Sequence, residues 1–193
     1  MQHVLPSDTN LDPTAGERSV IANVAAQLKR DSPNETLSAI HTYLDRSVKV
    51  IDPASWDHAL RCRRTSVQIL QEGAWGCSAH AQVACHLARA CGIPAILAKA
   101  LDVDWIERDN QGDGRGRGHV YVEVLCGGRP LLWDAQGGSL VEGYDLDSGL
   151  VPAIPRRLVY DKGGPDAIVL SHHGTEWEDE TRRLFPAPIP AVK

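Results

Sequence analysis

Near residue 92 the hydrophobic pattern of this chain changes period, and that change limits its possible folds more than any other feature. Up to Gly92 the apolar residues recur every three or four positions, as on one face of a helix. From Ala95 onward they alternate, as along a strand. Helices followed by mostly antiparallel strands make an α+β pattern, with N-terminal helices packed on an antiparallel sheet.

The helical half carries its own punctuation. A helix is expected over 15–30, with Val20, Ile21, Val24 and Leu28 on one stripe. Ser32-Pro33-Asn34-Glu35 sets a capping serine, a first-turn proline and a glutamate three residues on, the order of a capping box. Leu37, Ile40 and Leu44 then form the buried face of a helix ending near Ser47. Thr65-Ser66-Val67-Gln68 reads as a second capping box, opening a short helix that stops at Gly73. From Ser78 to Ala90 there is no Gly or Pro and much Ala and Leu, so a further helix follows, closed by Gly92 and Pro94.

The strand half begins with Ala95–Ala100. A glycine-rich polar loop, Asp109–Gly118, leads into His119–Leu125, which alternates like a strand with one covered face. Cys126-Gly127-Gly128-Arg129 reads as a hairpin turn and 130–134 as the return strand. Arg157–Asp161 and Ala167–Leu170 are further strand candidates. Thr175-Glu176-Trp177-Glu178 caps a last helix running to about Leu184. The organisation expected is one domain over 1–193: a loose N-terminal arm over 1–13, a core over 66–138 and a C-terminal extension over 145–193.

Composition excludes some function classes. The 193 residues carry a formal charge of −5, which argues against a general nucleic-acid or anionic-membrane binder, since such a protein needs a basic face. No apolar run approaches the ~18 residues of a membrane span. The start MQHVLPSDTNLDPT lacks the basic head and apolar core of a secretory leader. Five cysteines, an odd number, in a chain long enough for an ordinary core are read as reduced thiols, and the expected compartment is the cytoplasm.

Three of those five cysteines fall within GAWGCSAHAQVACHLARACGIPA, residues 73–95. Cys77 opens a helix, where unpaired backbone N–H groups and the positive end of the helix dipole favour thiolate over thiol. Gly76 before it permits close approach of another backbone or a substrate. The rival reading of Cys77 is a small buried hydrophobe. Cys85 and Cys91 fall on the apolar stripe with Ala81, Ala84 and Ala88 and are read as core. Cys62 and Cys126 sit among polar or turn residues. His80, Cys85, His86 and His119 offer metal donors, but Cys77-x2-His80 is the one short pair with ligand spacing. Adjacent Cys85 and His86 point about 100° apart on a helix. No metal and no cofactor are expected; His80 and His86 are read as surface or packing residues and His172-His173 as loop residues.

A reactive thiolate needs a base, and the base needs an orienting group. His119 begins a strand just after a loop, and Asp134 ends the paired strand. If Gly127-Gly128 is a two-residue turn, Cys126 faces Arg129 and Asp134 falls opposite Tyr121. Tyr121 shares a face with His119, so His119 and Asp134 become diagonal neighbours within side-chain reach. A one-residue slip sends Asp134 to the other face. Taken singly, His119 also fits a solvent-facing strand start and Asp134 a plain turn residue.

These pieces together resemble a known family. The turn GAWGC after a short helix, the helix ending ARACGIPA, the strand HVYVEV and the strand end LLWDAQGG are similar, in order and spacing, to the transglutaminase-like superfamily of papain-related thiol enzymes. The likeness runs from Ser66 to Gly138 and departs from the family at Ala135, where proline is frequent. It implies a papain-like core with the nucleophile at the N-terminus of a central helix: Cys77 as nucleophile, His119 as general base and acid, Asp134 orienting His119. It implies acyl chemistry on a peptide, protein or small amide substrate through a thioester. The Cys77 N–H and a second donor, for which Gln71 and Trp75 are candidates, would face the oxyanion. Arg115 and Arg117 fit either an acidic substrate group or an exposed loop. Two other readings stand beside this one: an arylamine-acetyltransferase-like enzyme with the same Cys, His, Asp order, and a binding module that keeps the fold without turnover. Oligomeric state is not legible.

Overall fold

A computed structural model describes residues 3–10, 15–51, 64–73, 76–102, 118–141, 146, 149, 151 and 157–164. Among them are four helices, α1 (Ala15–Leu28), α2 (Pro33–Ser47), α3 (Ser66–Glu72) and α4 (Gly76–Ala90). Five strands follow: β1 (Ala95–Asp102), β2 (Gly118–Cys126), β3 (Arg129–Trp133), β4 (Leu140–Val141) and β5 (Arg157–Gly163). They form one sheet in the order β4-β3-β2-β1-β5, with every pairing antiparallel. This is the expected α+β architecture. The strand expected at Ala167–Leu170 and the helix ending near Leu184 lie outside the described residues, as do Cys62 and His172-His173.

Both capping boxes form. Ser32 Oγ accepts the Glu35 N–H at 3.2 Å while Glu35 Oε2 accepts the Ser32 N–H at 3.3 Å. Thr65 and Gln68 make the same reciprocal pair at 3.3 and 2.9 Å. In α1 the buried stripe is Ile21, Ala25 and Leu28, whereas Val20 is exposed. The steps from Ile21 to Ala25 to Leu28 are of four and three residues, which keeps one face inward; Val20 precedes that face by one residue and so points about 100° away.

Helix α4 is the centre of the packing. It touches α1, α2, α3, β1 and β2, and Ala81, Val83, Ala84, Cys85, Leu87 and Ala88 are fully buried. Small residues on successive turns let neighbouring elements approach its backbone closely. Cys85 and Cys91 are buried in this core as expected. The helix ends in a Schellman motif: Ile93 N–H donates to Ala88 O and Gly92 N–H to Arg89 O, both at 2.9 Å, with Gly92 at φ +87°. That turn sends the chain straight into β1, beside which β2 returns.

The strand over 119–125 is covered on both faces, not on one. Val120, Val122 and Val124 pack toward the helices, while Tyr121 and Glu123 on the opposite face are buried too. A smaller cluster of Ala98, Ala100, Tyr121, Leu132, Val141, Val151 and Val159 fills that second face. Beside it Glu123 and Lys162 make a fully buried ion pair at 2.8 Å. Residues 3–10 cover it, and here the expected loose arm is corrected. Val4 N–H donates to Glu123 Oε1 at 2.9 Å, Lys162 Nζ donates to His3 Nδ1 at 2.9 Å, Ala95 N–H donates to Asp8 O at 3.0 Å, and Val4 is buried. A buried carboxylate and ammonium need such extra partners, and the arm supplies them. None of the described helices is long and apolar enough to cross a membrane.

Removing one member of this pair strands the other charge in the interior. Glu123→Leu should lower unfolding free energy in urea by about 3–5 kcal/mol, and adding Lys162→Met should recover most of that loss.

Candidate active site

Cys77 lies in the first turn of α4, directly after Gly76. Gly76 has φ +82°, and a Cβ built there would meet nothing within 4 Å. It is a left-handed residue that turns the chain into the helix, and no described protein atom fills the space beside it. One turn on, half-buried His80 places Nδ1 3.0 Å from Gly76 O. A carbonyl only accepts, so that nitrogen carries the hydrogen.

His119 is the second residue of β2 and pairs with Ala100 of β1. The β2–β3 hairpin has Cys126 opposite Arg129 and Val122 opposite Trp133. This is the parity that places Asp134, the next residue, opposite Tyr121 and on the face of His119. The His119 ring stands edge-to-face on Tyr121 with centroids 4.6 Å apart. Its Nε2 lies 3.0 Å from Asp134 Oδ1, with the two side chains 19% and 21% exposed. The Nε2–H direction departs from a linear hydrogen bond, while the short separation and the opposite charges both draw the two groups together. Such hydrogen bonds commonly tighten only when substrate is bound.

Asp134 is itself held from behind. Oδ1 accepts the N–H of Gly137 at 2.9 Å and of Gln136 at 3.1 Å. The Asp134 backbone is fixed at both ends, its N–H donating to Ser139 O at 2.8 Å and its carbonyl accepting from Gly138 at 2.7 Å. With Nε2 turned to Asp134, Nδ1 is the nitrogen left to share a proton with the Cys77 sulfur.

The electrostatics follow from this arrangement. Burial pushes the Cys77 thiol up, but the hydrogen bond and charge of His119, aided by the N–H groups of Val120 and Cys77, outweigh it and hold the thiol below its usual value. Burial works to lower His119, yet Asp134 and Cys77 together raise it to about 9. Asp134 is pushed up by burial and pulled further down by His119, Gly137 and Gln136, ending below the ordinary carboxylate range. All three shifts run the same way, toward thiolate, imidazolium and carboxylate in a row.

Of the other residues singled out in the sequence, Gln71 is exposed on the last turn of α3, and Trp75, Arg115 and Arg117 lie outside the described residues. His86 is buried, its Nδ1 2.6 Å from Ser66 Oγ, tying α4 to the start of α3. Cys126 is half-buried at the hairpin end, where burial raises its thiol. One residue near the site had no signal in the sequence: His41 of α2, whose Nδ1 is 3.1 Å from Ala135 O.

A family model, the transglutaminase-like superfamily, matches residues 22–135, a span that includes Cys77, His119 and Asp134. None of the curated proteins matches the sequence. Among solved structures, a candidate cysteine protease from Cytophaga hutchinsonii superposes with a TM-score of 0.53 at 17% identity, over 79% of this chain and 45% of that one. Legionella pneumophila LapG superposes with a TM-score of 0.52 at 14% identity, over 88% of each chain. At such identities the likeness is one of fold. The chain spans less than half the length of the Cytophaga protein.

In the native protein, iodoacetamide should alkylate Cys77 at pH 6 well ahead of Cys85, Cys91 and Cys126, read by mass spectrometry of each cysteine peptide. His119→Ala should slow Cys77 about tenfold at pH 6 for every unit by which the thiol's titration rises.

Proposed function

This chain belongs to the transglutaminase-like superfamily, and on that premise we propose that it is a cysteine-dependent amide hydrolase or acyltransferase acting through Cys77, His119 and Asp134. The observation that carries the reading is one histidine whose Nε2 lies 3.0 Å from Asp134 Oδ1 and whose ring holds the Cys77 thiol below its usual value. That a fold neighbour is described as a candidate cysteine protease favours peptide bonds among the possible amides.

The Cys77 thiolate attacks the carbonyl carbon of an amide, forming an S–C bond, and the carbonyl electron pair moves to oxygen. The Cys77 N–H, at the start of α4, is available as one oxyanion donor; Gln71 and Trp75 are the candidates for the second. As the intermediate collapses, the C–N bond breaks and the imidazolium of His119 gives its proton to the departing amine. A thioester on Cys77 remains, and His119 is now neutral. It takes a proton from water or from an acceptor amine as that nucleophile attacks, the S–C bond breaks, and thiolate and imidazolium are restored. Asp134 keeps its charge throughout and holds the ring in the productive orientation. The substrate class is a peptide, a protein or a small amide, in the cytoplasm.

A panel of peptide and small amide substrates, with and without added amine, tests this. Cys77→Ala should abolish turnover, and mass spectrometry of acid-quenched wild type should find an acyl adduct on the Cys77 peptide. Asp134→Asn should lower kcat by about 10²- to 10⁴-fold with little change in KM. The kcat/KM profile should rise as Cys77 ionises on the acid side and fall as His119 loses its proton near pH 9. An active Cys77→Ala protein would sink the reading.

A further inference from the structure

We propose that His41 is a positioning residue for Asp134, a clamp that reaches from α2 to hold the turn carrying the carboxylate aimed at His119. This inference rests on the reading that Cys77, His119 and Asp134 act together.

The turn over 134–138 bears the whole orientation of the carboxylate. Two N–H groups inside it, of Gln136 and Gly137, bind Asp134 Oδ1, so any shift of the turn shifts the group that faces His119. His41 grips this turn at two points. Its Nδ1 donates to Ala135 O at 3.1 Å, since a carbonyl oxygen has no hydrogen to give. Its ring also lies against Gly138, where an added Cβ would fall 2.5 Å from Nε2 and 2.6 Å from Cδ2. Gly138 has φ +75°, which no side-chain-bearing residue adopts readily. The absence of a Cβ there serves both the turn and the ring.

The position of His41 follows from α2. Leu37, Ile40 and Leu44 are buried against the core, and His41, one turn after Leu37 and next to Ile40, comes to the edge of that stripe. There it is half-buried and meets a turn 94 residues further along the chain.

The test compares His41→Asn with His41→Leu in the whole protein. Asn and Leu are close in size, and both lose the ring contact with Gly138. Asn keeps an N–H near the Nδ1 position and Leu has none. The readout is the pH profile of Cys77 alkylation by iodoacetamide, with urea unfolding as a check on the fold. His41→Leu should move the acid limb toward neutral pH, slowing Cys77 labelling at pH 6 about threefold to tenfold, while His41→Asn stays near wild type. In an Asp134→Asn background, His41→Leu should have little further effect, because its influence runs through that carboxylate. The proposal is overturned if the Leu and Asn profiles coincide with wild type, or if His41→Leu acts in full on top of Asp134→Asn. A wild-type Cys77 that labels no faster than Cys85 at pH 6 would overturn the three-residue reading itself, a result separate from either of these.

Discussion

The seating of α4 between three helices and the sheet is the constraint on which the rest of the site depends. A helix start is a place of unsatisfied N–H groups, but it has chemical consequences only if it is held against something that can use them. Here the alanines of α4 bring its axis close to β2, and the same packing sets the Cys77 sulfur beside His119 and the Val120 N–H. Burial alone would make that sulfur a neutral thiol. The opposing pull of His119, itself charged through Asp134, reverses the outcome. The site is therefore a balance between desolvation and one short row of alternating charges, and loosening any of the three residues shifts the balance for the other two.

Much of this frame was legible in the sequence because it is local. Ser32 with Glu35, and Thr65 with Gln68, are each a complete hydrogen-bonding device within four residues. Gly92 ends α4 for a reason contained in its own backbone. Gly127-Gly128 fixes the pairing of Cys126 with Arg129, and strand alternation then carries the parity as far as Asp134. Helix and hairpin rules thus reached the three residues that meet.

What was not legible is non-local. Val20 seemed equivalent to Ile21 as an apolar neighbour, and only the packing of α1 on α4 decides that Ile21 and Ala25 go inward. Glu123 read as the polar face of a half-covered strand, since nothing near it announces Lys162 or the arm that covers both. Leu140–Val141 is too short to alternate and pairs only because β3 is already in place. His41 acts on a turn far along the chain. Its side chain could not be connected to Ala135 by any spacing rule, and the loss of proline at that position gave no indication of what else holds the turn.

The arm over residues 3–10 has a consequence for how the chain reaches this state. Val4 is bonded to a residue 119 positions later and His3 to one 159 positions later. During ribosomal synthesis the arm emerges well before β2 and β5, and its landing surface does not exist until β5 has joined the sheet. Closing loops of that length is entropically slow, and neither contact can help form the strands that create it. The arm's anchors are thus groups that only the assembled sheet brings together. In the folded state the arm and the Glu123–Lys162 pair therefore depend on each other across nearly the whole chain: the arm supplies the two buried charges with partners in place of water, and they supply the arm with its anchor.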